Sequence, residues 1–137
     1  MHWCVNYLGK PWKPGASGPN EFDCWGLIST VMRERAGIDV PLAPVARDRD
    51  DLRDVLREFQ QSPLHIDWLE IKKPERDLDG ALMAQGKYPV HVGLYINADG
   101  GKVLHAIKEG GVVCMSLATL RHNGFRVVRW YRHASLS

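Results

Sequence analysis

Apolar residues in the first third of the chain recur with a helical period, and those in the second half alternate. Cys24, Leu27, Ile28, Val31 and Met32 stand at i, i+3, i+4, i+7 and i+8. That spacing makes one apolar stripe and predicts a helix over 22–36. Asn20 or Asp23 can act as its N-cap, and Gly37 suits the residue just past its end. Ahead of it, Trp3, Cys4, Tyr7 and Leu8 predict a short amphipathic helix over 2–8, closed by Gly9. Leu52, Val55, Leu56 and Phe59 predict a surface helix over 48–61, with its charges as a solvated face. Pro41 and Pro44 make 38–46 irregular.

After Pro63 the period shortens to two. Strands are expected at 68–71, 80–84, 88–97, 102–107, 112–115 and 125–131, with a helical turn over 116–122. The clearest is the segment in which Val90, Val92, Leu94 and Ile96 alternate with His91, Gly93 and Tyr95. Helices first and an antiparallel meander afterwards argue an α+β fold, read as one domain over 1–137. Residues 10–19, rich in glycine and proline, form either a loose linker or a shaped wall beside the helix they lead into.

Composition narrows the function classes. A chain of 137 residues with a net charge of +2 is too mildly basic to argue for nucleic-acid binding. No apolar run reaches the roughly 18–20 residues of a membrane span. The first residues lack a basic and then apolar leader, so the expectation is synthesis in the cytoplasm without a signal peptide. Three cysteines without a CxxC pair suggest neither a disulfide framework nor a cysteine zinc site. Cys4 and Cys114 read as core. No cofactor or metal is expected.

The candidate chemistry starts at Cys24. In the opening turn of a helix, the macrodipole favours a negative charge, and thiolate is the nucleophilic form of cysteine. The alternative is a small buried hydrophobe, the usual state of a free cysteine. Histidine placement decides between them. His2, His122 and His133 are expected to be exposed and idle, and His65 has no assignment. His91 and His105 fall on two strands of one hairpin. A two-residue turn at Asp99-Gly100 would put them on opposite faces. A three-residue turn sets His105 across from Gly93, on the face of His91 and diagonal to it. The glycines favour the three-residue turn, and Gly93 would leave an opening beside the imidazoles. Cys24 is then the nucleophile, His91 the general base or imidazolium partner, and His105 the group that orients it. Backbone N–H groups at the helix start would form an oxyanion hole.

These segments resemble a known family. Tyr7-Leu8-Gly9-Lys10-Pro11-Trp12, Phe22-Asp23-Cys24-Trp25-Gly26-Leu27, His91-Val92-Gly93-Leu94-Tyr95 and Leu104-His105-Ala106, in that order, are similar to the NlpC-type cysteine peptidases, a papain-like family of bacterial cell-wall metabolism. The Asp-Cys-Trp-Gly-Leu form, Gly18-Pro19, and Gly37-Ile38 followed by Pro41 resemble the subgroup associated with bacteriophage tails. The resemblance implies a helix-borne cysteine on an antiparallel sheet, with Cys24, His91 and His105 as the catalytic set. It also implies hydrolysis of peptidoglycan stem peptides, typically after a γ-linked D-glutamate, with other tail proteins as partners and the virion tail as location. Two residues depart from the family. Trp12 stands where many members carry a tyrosine that helps bind the oxyanion, and Trp25 stands where a small residue is usual. With Asp23 and Gly93 they complete the expected substrate or oxyanion positions. Three readings compete with the hydrolase: a structural tail protein without a productive site, an acyl- or lipid-transferring relative, and metal binding by Cys24, His91 and His105.

Overall fold

The computed structural model describes residues 3–14, 16, 18–40, 68–85 and 88–136. The helix expected over 48–61, His2 and His65 lie outside them.

Helix α1 spans Cys24–Ala36. Asp23 is its N-cap: its backbone is extended and its Oδ1 accepts from the Gly26 N–H at 2.7 Å. At the other end Gly37 is left-handed, with Gly37 N–H donating to Arg33 O and Ile38 N–H to Met32 O. The Gly37 bond is an αL ending, and with the Ile38 bond it satisfies two of the last carbonyls. Trp25, Leu27, Ile28, Val31 and Met32 are buried, as the stripe requires. The N-terminal helix is shorter than expected, a 3₁₀ turn over Trp3–Asn6. Tyr7 Oη donates to Glu34 Oε1 at 2.5 Å and ties this segment to α1. Burial and the Glu34 carboxylate push the Tyr7 hydroxyl up to about 12.

Six strands follow, β1 (Trp68–Ile71), β2 (Gly80–Gln85), β3 (Tyr88–Ile96), β4 (Lys102–Ile107), β5 (Gly111–Ser116) and β6 (Phe125–His133). A short helix α2 (Leu117–His122) precedes β6, capped by Ser116, whose Oγ accepts from Thr119 N–H. All pairings are antiparallel, in the order β1-β6-β2-β3-β4-β5. Strands β2 to β5 form the expected meander. Strand β6 does not extend it but returns to lie between β1 and β2. A nine-residue strand with a free edge would present a long row of unpaired backbone groups, and insertion between two partners removes it.

The sheet has two faces. One carries Leu82, Val92, Leu94, Ile96, Leu104, Ala106, Val112 and Tyr131 and packs with the apolar stripe of α1. The other carries Ala81, Met83, Val103 and Phe125 and packs with Leu120 of α2. Helix α1 lies against β3 and β4, the strands that bear the two hairpin histidines. Leu27 and Val31 are fully buried there. Each such side chain contributes about 1.5–3 kcal/mol relative to exposure.

Candidate active site

Cys24 is the first residue of α1 and is half-buried against the core. The loop before it is a shaped wall. Trp12 forms a parallel bridge with Phe22, Phe22 N–H donates to Pro11 O, Lys13 N–H to Phe22 O, and Asp23 N–H to Ala16 O. Lys10 Nζ holds Pro19 O at 2.7 Å. The chain on either side of Trp12 is thus fixed to the two residues before the thiol. Within α1, Gly26 N–H is committed to the Asp23 carboxylate and Leu27 N–H to the Asp23 carbonyl, so neither is available to an oxyanion.

The hairpin between β3 and β4 takes the odd-length turn. Leu94 pairs with Leu104, Tyr95 with Val103 and Ile96 with Lys102, around Ala98-Asp99-Gly100. Asp99, Gly100 and Gly101 all have positive φ, which this turn demands. Continued by one residue, the register sets His105 across from Gly93. The result is a direct contact, with His91 Nε2 and His105 Nδ1 2.8 Å apart and the rings 5.0 Å between centroids. Gly93 matters to this contact through space. A Cβ there would stand 2.7 Å from Val103 Cγ1, 2.9 Å from Leu104 O and 3.1 Å from His105 Cβ. The volume beside Gly93 is therefore filled by β4, and glycine is what lets the two strands close.

Both imidazoles are held below the ordinary histidine range. For His91 the cause is burial, with a smaller push from His105; for His105 it is burial. His105 is wholly buried, and its Nε2 has no hydrogen-bond partner among the described residues. A neutral imidazole has one N–H and one bare nitrogen, so the contact fixes the tautomers together. If His91 donates from Nε2 to His105 Nδ1, then His91 Nδ1 is bare and basic, and His105 carries its proton on Nε2.

The structure brings His91 and His105 together as a bonded pair. They project from the face of Met83, Val103 and Phe125, whereas α1 covers the alternate residues of the same strands. Trp25 is buried and lines an apolar cleft with Ile28, Trp68, Gly80, Val92 and Tyr131, where Gly93 contributes backbone. Asp23 is accounted for as the helix cap. His133 corrects the expectation of an exposed, idle residue. It is buried, stacked edge-on against Trp68, with Nδ1 accepting from Ser135 N–H. His122 is exposed. Cys4 is buried and Cys114 half-buried, and burial with the neighbouring Cys4 pushes the Cys114 thiol up to about 11. Phe125, which contacts both imidazole rings, was not singled out in the sequence. A phenylalanine opening a strand carries no mark that separates it from ordinary core.

Among the described residues, no group of three or more His, Cys, Asp and Glu could hold a metal ion. No curated protein matches the chain significantly in sequence. Among solved structures, the fold is similar to the NlpC/p60 domain of the peptidoglycan hydrolase SagA, with a TM-score of 0.56 over 90% of this chain and 91% of that one, at 19% identity. Residues 9–128 match the sequence pattern of the NlpC/P60 family. A cysteine at the mouth of a capped helix, a histidine pair on the adjoining hairpin and this match over most of its length lead to one conclusion: the chain belongs to the NlpC/P60 family of cysteine peptidases.

Proposed function

We propose that the chain is a cysteine hydrolase that cuts amide bonds in peptidoglycan stem peptides, in the setting of a bacteriophage tail. The observation that carries this reading is the 2.8 Å His91–His105 bond on the strands against which the Cys24 helix packs. In the proposed reaction Cys24 Sγ attacks the scissile carbonyl as His91 Nδ1 takes the thiol proton. The C–N bond then breaks, His91 returns that proton to the leaving amine, and water releases the acyl group from sulfur. His105 acts through His91, accepting from Nε2 and keeping Nδ1 bare. The reading requires the sulfur to reach His91 around the first residues of β3, since α1 and the rings approach the strand from different sides. Desolvation of both rings favours neutral imidazoles at rest, so His91 is available to take the thiol proton during attack. The family supports the reaction class. The tail setting rests on the Asp23-Cys24-Trp25-Gly26-Leu27 form and its neighbours, and the bond cut rests on the family resemblance alone.

The test is digestion of purified peptidoglycan by wild type and Cys24→Ala, with muropeptides read by mass spectrometry and new amino termini counted. Release by wild type and its loss in the variant is expected. Equal release from both, or none from either, would leave a structural tail protein instead.

A further inference from the structure

We infer that Phe125 is a positioning residue for the histidine pair: its ring packs against both imidazoles, walls the buried His105 from water and holds it with Nδ1 turned toward His91. Phe125 opens β6 and pairs with Gln85 of β2, so the return of β6 into the sheet is what delivers it. It is buried. Its centroid lies 5.2 Å from His91 at an interplanar angle of 35°, and 5.1 Å from His105 at 89°. With the 5.0 Å between the imidazoles, the three rings form a closed triangle. A turn of either imidazole about its Cβ–Cγ bond breaks the Nε2···Nδ1 hydrogen bond.

The chemistry of the phenyl is as important as its bulk. His105 Nε2 has no hydrogen-bond partner among the described residues, and an aromatic hydrocarbon supplies no acceptor for it. A polar side chain or a water in that place would bond Nε2 and stabilise a cationic His105, whose protonated Nδ1 could no longer accept from His91. Among the described residues, the pair's neighbours include Met83, paired with His91, Val113, paired with His105, and Leu120 in the cluster of Phe125. None of them is charged, and apart from burial the electrostatic influence on His91 among the described residues comes from His105.

The catalytic consequence rests on the hydrolase reading, but the geometry does not, and the experiment keeps them apart. Imidazole nitrogen shifts of His91 and His105 are followed by NMR against pH in Cys24→Ala, alone and combined with Phe125→Ser or Phe125→Leu. With the native phenyl or the Phe125→Leu change, both rings should stay neutral well below the ordinary histidine value of about 6.5, with His105 protonated on Nε2. In Phe125→Ser at least one midpoint should rise by about one pH unit or more. With the thiol restored, the acid limb of hydrolysis should rise by a similar amount while KM holds. Unchanged midpoints and tautomers in a folded Phe125→Ser chain would overturn the inference. If that variant does not fold, the unsubstituted chain decides. A His105 Nε2–H that exchanges slowly with water supports the wall, and one that exchanges at the rate of an exposed imidazole refutes it. Failure of muropeptide release in the wild type would remove the reaction and leave these NMR results standing.

Discussion

Two polar clusters are buried in the same sheet, and they are built on opposite terms. At one end Asp79 receives everything it can accept. Arg132 Nε and Nη2 reach its two oxygens at 2.8 and 2.9 Å, and Glu75 N–H and Arg76 N–H add bonds at 2.9 and 3.0 Å. Burial by itself raises the Asp79 carboxyl, but the guanidinium and the two N–H groups outweigh it and hold it below its usual range. In the other cluster His91 and His105 share one bond, and His105 Nε2 is left without a partner among the described residues. A saturated cluster keeps its charges and locks chain segments together. An under-satisfied one resists charge, because the buried rings have little to stabilise a proton.

The widest separation between the two should appear in activity. His105→Ala should lower muropeptide release by about 10²–10⁴-fold, the usual worth of a positioned base. His105→Gln should recover part of it, because the amide oxygen can still accept from His91 Nε2. Near-normal turnover in His105→Ala would end the comparison. Asp79→Ala should do the reverse. It leaves a mostly buried guanidinium with only the more distant Glu75 carboxylate, so unfolding in urea should show a loss of up to about 3–5 kcal/mol. Activity per folded molecule should change little.

Acid should then separate the clusters by pH window. Both imidazoles are depressed in the folded state, so the unfolded chain binds protons more readily once pH falls below about 6.5. Their contribution is whole above that value and is lost as pH falls toward the depressed native values, at up to about 1.4 kcal/mol per pH unit for each ring that stays neutral. Asp79 is depressed relative to its own ordinary value, so its contribution is whole above about 3.9 and disappears only below that. Urea melts taken from about pH 7 down to about pH 3 should therefore soften first in a histidine-dependent step, absent from a His91→Gln, His105→Gln double variant. The smallest effect concerns the helix mouth. Asp23→Ala removes the bond to Gly26 N–H and should cost about 1 kcal/mol, whereas Asp23→Asn keeps it. A larger fall in thiol reactivity than in stability would give Asp23 a part in the site beyond capping.

How much of this could be read beforehand depended on distance along the chain. The stripe through Leu27 and Val31, the ending at Gly37 and the odd-length turn at Ala98-Asp99-Gly100 are local, and each was legible. The turn carried the meeting of His91 and His105 with it, because side chains in strands alternate and register decides which faces agree. The choice between Asn20 and Asp23 as cap needed the structure, since both have a suitable side chain and only φ and ψ separate them. His133 looked terminal and idle, yet it is buried because β1 pairs beside it and brings Trp68 over its ring.

By itself, then, the sequence determined helix α1, the six strands, the fold class and the hairpin that joins the two histidines, because periodicity, capping and turn chemistry act over a few residues. The tertiary structure alone decided that β6 enters between β1 and β2, that Phe125 closes a triangle of rings, and that α1 and the imidazoles take alternate faces of shared strands. Those outcomes depend on which edges find partners once the chain has folded back over tens of residues. No short-range pattern encodes that competition.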